Sequence, residues 1–338
     1  MSALAPSFQR AGVTAVSVSA SGRLHLGFLD PSGTLGRRFG SLGLVIEGLR
    51  TEVGITAAAR DEWHADSLAA QAQLDRAAAC VHHLRQQCGR TAPLALRLRS
   101  VLPAHAGLGS GTQLALAVGR AFARWQGLDL PTPMLAAWLG RGRRSGIGIA
   151  GFDQGGLLVD GGPGPDGTPA PLLARLDLPE AWRVVVVLDE RMQGLSGARE
   201  VQAIAALPAL RLAQAADLCH QVLMRVLPGA ASDEFAPFAA GVNRVQELLG
   251  AHFAPAQGGS AWTSASVGRL LQWVRGCAGD QAAVGQSSWG PTGFAIVPSA
   301  AAAQRLLDDA RRAGVIDPAL VLRTVSARNR GATVSTPR

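Results

Sequence analysis

The segment Pro103-Ala-His-Ala-Gly107-Leu108-Gly109-Ser110-Gly111-Thr112-Gln113 sets closely spaced glycines beside two hydroxyls, a combination suited to holding an anion. Glycine lets a backbone approach a ligand closely, and a helix opening there adds free N–H groups and the positive end of its dipole. A phosphate or pyrophosphate fits such a loop without lysine, with Ser110 and Thr112 as extra donors. The plainer alternative is a glycine-rich helix start that holds nothing. Arg23 and His25 lie two apart, so on a strand they share a face. They could grip a phosphate or a carboxylate, or simply be solvated. Arg143 and Arg144 could clamp a phosphate through bidentate contacts, or stand on a wetted surface. In Gln286-Ser287-Ser288-Trp289-Gly-Pro-Thr292-Gly293, Trp289 either packs on an aromatic ligand or fills the core of a tight turn. Asp153 could stabilise positive charge on a reacting group or cap an Asx turn, whereas Asp160 beside Gly161-Gly162 reads as a turn residue.

The absent residue types narrow the chemistry. All 32 residues counted as Lys or Arg are arginine, and tyrosine is also missing. A Walker A loop needs its lysine, and Schiff-base and pyridoxal phosphate enzymes need a lysine amine. Arginine must supply the long-armed positive charge, and because it stays protonated it clamps anions but carries protons poorly. Net charge is +8. The arginines are dispersed and aromatics make up only 5%, which favours a small anionic metabolite over nucleic acid. Cys80, Cys88, Cys219 and Cys277 lack CxxC spacing, and His82, His83 and His220 lack ligand spacing, so no metal site is expected. A chain that is 48% hydrophobic, with no membrane-length apolar run and no signal-peptide layout, is expected to be a cytoplasmic globular protein.

The elements that must position these groups are mixed. Residues 13–29 alternate as a strand and run into a Pro31-Ser32-Gly33 turn; 43–46 and 53–56 continue the strand pattern, and 67–87 shows helical spacing. Leu94, Leu96 and Leu98 alternate with Ala95, Arg97 and Arg99 and lead straight into the glycine loop; Leu114, Val118, Ala121, Phe122 and Trp125 then fall at helical spacing up to a stop at Gly127. The loop therefore joins a strand to a helix. After the Gly/Pro-rich stretch 161–169, a buried strand at 182–188 opens a second unit with helices near 198–206, 209–226, 233–250, 263–278 and 300–313, and strands at 293–297 and 320–324. Two domains follow, 1–175 carrying the phosphate loop and 176–338.

Pro103 with Gly107-Leu108-Gly109-Ser110 resembles the second motif of the GHMP kinases, P-x3-G-L-G-S-S, except that Gly111 stands where the second serine is usual. That serine commonly serves the magnesium nucleotide, so its replacement counts against an ATP-dependent kinase. More of the chain resembles one non-kinase branch, the β-ribofuranosylaminobenzene 5′-phosphate synthases of methanopterin biosynthesis. The resemblance runs through Arg23–Asp30, Gly107–Gln113, Arg144–Gly148 with Phe152–Gly156 and Val159–Gly162, and Gly285–Gly293, with a weaker segment at Gly194-Leu195-Ser196-Gly197 and Glu200.

It implies an α+β GHMP kinase-like fold with a ribosomal-S5-like N-terminal domain, a ferredoxin-like C-terminal domain and the site between them. It also implies a decarboxylating transfer of phosphoribosyl from phosphoribosyl pyrophosphate to 4-aminobenzoate or a close analogue. Gly107 to Gln113 with Arg144 would then bind phosphate and pyrophosphate, Ser110 and Asp153 would act in catalysis, and Arg23, His25, Gln286, Ser287, Ser288, Trp289 and Thr292 would line the substrates. No cofactor is required; Mg²⁺ would either assist or merely accompany pyrophosphate. No nucleic acid or membrane partner is expected, and a homodimer is the family-level expectation. The other readings are an ATP-dependent small-molecule kinase and a catalytically silent ligand-binding relative.

Overall fold

Two long antiparallel strands, β1 (Ala15–Asp30) and β2 (Phe39–Ala57), form the spine of the first sheet in the computed structural model, which describes residues 14–195 and 197–336. There follow β3 (Glu62–Ala65), α1 (Leu68–Gln71), α2 (Leu74–Cys88), β4 (Leu94–Ser100), α3 (Ser110–Trp125), α4 (Thr132–Trp138), α5 (Ile147–Gln154), β5 (Leu157–Asp160) and β6 (Leu172–Leu176). The second half contains β7 (Arg183–Leu188), α6 (Gly197–Ala206), α7 (Leu212–Gln221), α8 (Leu227–Ala231), α9 (Phe235–Phe253), α10 (Ala265–Ala278), β8 (Ala283–Gln286), β9 (Thr292–Val297), α11 (Ala300–Arg312), β10 (Val321–Val325) and β11 (Thr333–Ser335). The fold class is α+β, as the sequence implies.

The first sheet has the order β11-β1-β2-β4-β3, with β5 on β2 and β6 on β5; the second has the order β10-β7-β9-β8. β6 ends at Leu176 in the first sheet and β7 opens the second at Arg183. The chain does not stay in the second unit, however, because β11 returns to pair with β1. Short polar strands such as β3 and β11 carry too few apolar positions to show the period of two, which is why they are absent from the sequence reading. The helix expected over 67–87 breaks between Gln71 and Leu74, and the one expected over 209–226 starts at 212 and runs through a π-helical turn at Val222–Val226 into α8.

Three apolar layers hold the sheets. Leu24, Leu44, Val184, Val186, Trp182 and Phe238 join both sheets and α9 in one cluster. On the other side of the first sheet, Val53, Leu96, Leu98, Leu116 and Phe122 pack under α2 and α3; Val185 and Val187 face Leu271 of α10 and Leu307 of α11. β7 is thus covered on both faces, which explains its unbroken Val-Val-Val-Val run. Each such valine contributes about 1.5–3 kcal/mol of burial free energy before entropy is counted. Among the described residues no helix is long and apolar enough to cross a membrane.

Candidate active site

The glycine loop is locked against the loop between β8 and β9 at backbone distance. Gly107 and Gly109 both adopt positive φ, +83° and +76°, a region that favours glycine. A Cβ on Gly107 would lie 2.3 Å from the Ser287 carbonyl oxygen, and one on Gly290 would lie 2.2 Å from that of Ala106. Gly194 closes the stack from a third side: its N–H donates to the His105 carbonyl, and a Cβ there would lie 2.2 Å from the Trp289 oxygen. Three segments far apart in sequence meet where no side chain fits. Ser287 fastens them further, its Oγ accepting from the His25 N–H (2.9 Å) and donating to the Gly107 carbonyl (2.7 Å).

β1 delivers Arg23 and His25 to this junction. Register irregularities fall between Ser21 and Arg23 and between His25 and Gly27, so the short stretch between them is re-aimed while Leu24 and Leu26 keep to the core. Arg23 Nη1 donates to the Gly107 carbonyl at 2.9 Å, and its Nε is buried without a partner among the described residues. Burial lowers its pKa to about 10 against the opposing pull of Glu200, which leaves it charged at neutral pH. His25 is 3% exposed, and its Nε2 likewise finds no partner. Burial first, then the nearby charges of Arg23 and Arg144, push its pKa down to about 3, so the imidazole is neutral.

α3 starts at Ser110, and among the described residues the N–H groups of Ser110 and Gly111 have no acceptor, whereas those of Thr112 and Gln113 reach back to the Gly109 carbonyl. These free donors face a cleft of about 890 Å³ lined also by Arg23, Arg76, Arg141, Arg143 and Arg144. The carboxylate among its lining residues is Glu200, whose Oε2 takes Arg144 Nη2 at 2.7 Å. Burial raises the pKa of Glu200 against the pull of Arg144. Arg76 and Arg141 converge over Gly111, with guanidinium nitrogens 3.0 and 3.7 Å from where its Cβ would be. A serine at that position would crowd them. The cleft therefore offers several fixed cations and a helix N-terminus, an arrangement for a ligand bearing more than one phosphate.

Ser110, Thr112, Gly107, Gly109, Gly111, Arg144, Arg23, His25, Ser288 and Trp289 all line this cleft. Leu108 is fully buried in the core and contributes only backbone. Gln113 points into the protein, its Nε2 on the Gly148 carbonyl at 2.9 Å, and ties α3 to α5. Ser287 and Thr292 are buried and do not line the cleft; Gln286 faces a second, adjoining cavity. Asp153 does not reach the cleft at all. It sits six residues beyond the start of α5, roughly 9 Å along the axis, exposed and accepting from Thr132 Oγ1. Asp160, expected in a turn, is instead the fully buried last residue of β5, its carboxylate accepting from the Gly146 and Gly162 N–H groups. Trp289 is 3% exposed and packs on Phe253 with ring centroids 4.6 Å apart, yet it lines both cavities. Ser196 lies outside the described residues.

Arg76 and Arg141 were not legible as site residues. Arg76 lies on α2 among the ordinary polar positions of an amphipathic helix, and Arg141 in an irregular turn; only folding aims both at Gly111.

Residues 75–156 match the GHMP kinases N terminal domain. Over nearly its whole length the chain superposes on a homoserine kinase from Cytophaga hutchinsonii (TM-score 0.64, 15% identity, 97% of this chain and 99% of that one). It also superposes on the phosphomevalonate kinase of Streptococcus pneumoniae (TM-score 0.68, 14% identity, 93% and 100%). At such identities the likeness shows the fold alone. A β-ribofuranosylphenol 5′-phosphate synthase from Archaeoglobus fulgidus is 33% identical over 323 residues, covering 91% of this chain and 96% of the relative. The one from Methanothermobacter thermautotrophicus is 31% identical over 247 residues, covering 68% and 74%. The fold, the glycine loop and this identity along almost the full length agree: the chain belongs to the β-ribofuranosylphenol 5′-phosphate synthase family of the GHMP kinase superfamily.

Proposed function

We propose that the protein transfers the phosphoribosyl group of phosphoribosyl pyrophosphate to a 4-substituted benzoic acid, releasing pyrophosphate and CO2, as a step of methanopterin biosynthesis. The sequence reading takes 4-aminobenzoate as the acceptor, and the phenol in the relatives' name favours 4-hydroxybenzoate. The observation that carries the proposal is the cleft of Arg23, Arg76, Arg141, Arg143 and Arg144 around the free N–H groups of Ser110 and Gly111.

In this reaction the bond from the ribosyl C1 to the pyrophosphate oxygen breaks and a bond from C1 to the carboxyl-bearing ring carbon forms. The carboxylate then leaves as CO2, and its electron pair restores the aromatic ring. With every phosphate ionised, reactants and products carry the same total charge, so no proton has to be moved. A site whose arginines stay charged and whose His25 stays neutral suits that balance. The leaving pyrophosphate gains charge as its bond breaks, so donors aimed at it stabilise the transition state more than the ground state. Any Mg²⁺ accompanying pyrophosphate would draw its ligands mainly from the phosphates, since Glu200 is engaged by Arg144.

The test is to incubate the protein, without ATP, with phosphoribosyl pyrophosphate and each carboxyl-labelled acid in turn, following labelled CO2 and pyrophosphate together. Equal release of both is expected. ATP consumption with a small alcohol, and no CO2, would replace this reading by the kinase one.

A further inference from the structure

Behind the arginine cleft lies a second cavity of about 520 Å³, bounded by β1, α9, α10, β8 and the turn around Trp262. Phe28, Leu249, Phe253, Trp262, Leu271 and Trp289 give it mostly apolar walls; its polar groups include the neutral amides of Asn243, Gln246, Gln257, Gln272 and Gln286, and two charged side chains at its edge, Glu247 and Arg275, are each held in an ion pair, with Arg244 and Asp280 respectively. Its size and lining are those of a pocket for a small, largely apolar ligand with a few polar groups. The two cavities share His25, Phe28, Ser288 and Trp289 as lining residues.

Resting on the reading above, we infer that this second cavity is the aromatic-acid site, with the carboxyl end of the ring at the shared wall and the 4-substituent among the amides. Three features support that division. The ring carbon that is attacked carries the carboxylate and must face the ribosyl C1, so that end of the acid belongs at the junction with the arginine cleft. The carboxylate must lose its charge as CO2, and an arginine clamp would hold the ground state and oppose that loss, whereas an apolar wall does not. His25 Nε2 lies at the junction, buried and without a partner among the described residues, on a neutral imidazole that can hydrogen-bond a substrate without adding charge. Of these amides, the Gln272 side chain makes no hydrogen bond among the described residues, and it can pair with either a hydroxyl or an amino group.

Separate cavities make the two substrates bind independently. Ala261 lines the second cavity from an exposed position, so Ala261→Phe can fill its mouth without disturbing the core. Arg141→Gln weakens the arginine cleft instead. Equilibrium dialysis would measure binding of labelled 4-hydroxybenzoate and, separately, of phosphoribosyl pyrophosphate to the native protein and both variants, with circular dichroism to confirm folding. The native protein should bind the acid alone; Ala261→Phe should weaken acid binding by about tenfold or more and leave phosphoribosyl pyrophosphate unchanged. Arg141→Gln should do the reverse. Acid binding that ignores Ala261→Phe but falls with Arg141→Gln would overturn the assignment and put the acid in the arginine cleft. Failure of the native protein to bind either acid or phosphoribosyl pyrophosphate would instead overturn the transferase reading beneath it.

Discussion

Ser287 shows how one side chain can matter without touching a ligand. Its Oγ is buried and satisfies both an amide on β1 and a carbonyl of the phosphate loop. Ser287→Ala leaves the buried His25 amide unpaired, while the Gly107 carbonyl keeps Arg23 Nη1, so urea unfolding should report a loss of about 1–3 kcal/mol. His25 carries a pH signature. It titrates near 6.5 when unfolded and near 3 when folded, so between those values the unfolded chain binds the proton first. Stability is therefore full above 6.5 and falls as pH drops towards 3. The half-buried His252 tilts the curve in the same sense, through burial. Subtracting the unfolding profile of His25→Gln from that of the native protein should isolate the His25 slope, and equal profiles would contradict a buried neutral imidazole. Arg23 and His25 were legible as a pair because a period of two survives between the irregularities of β1; the neutrality of His25 was not, because it comes from burial and from Arg144, distant in sequence.

At the scale of elements, the site depends on loops stacked without side chains. Gly290→Ala would set a Cβ 2.2 Å from a backbone oxygen of Ala106, which cannot rotate away as a side chain could. The loops must separate, and turnover should fall by at least about a hundredfold, the scale of an active-site misplacement of an ångström. Ser110→Ala keeps the backbone and removes one hydroxyl aimed into the cleft. It should lower kcat by about tenfold or more with a smaller change in KM, and unchanged kinetics would remove Ser110 from the machinery. The strand–glycine loop–helix succession was readable because each part has its own local signal. The mate of the glycine loop was not, since nothing in residues 103–113 specifies that Gly194 and Gly290 will lie against it.

For the whole molecule, the returning tail joins the two sheets. The Arg328 N–H and carbonyl pair with Val45 and Gly156, its guanidinium meets Glu47 at 2.9 Å, and Asn329 exchanges two hydrogen bonds with the backbone of Leu178. A chain ending at Ser326 loses these bonds and the β1–β11 ladder. Its urea midpoint should fall while helix content by circular dichroism stays close to native; an unchanged midpoint would show that the tail bears no stability. Residue order alone determined what depends on near neighbours: the anion-ready glycine loop, the buried Val184–Val187 strand, a chemistry carried by arginine rather than lysine, and the motif pattern of the family. Tertiary structure decided which arginines meet, that Asp153 stays out of the cleft, and that a mostly apolar cavity shares a wall with it. These depend on contacts between segments well separated in sequence, where the loss of loop entropy and the fit of packed surfaces choose the partner and no local period records the choice.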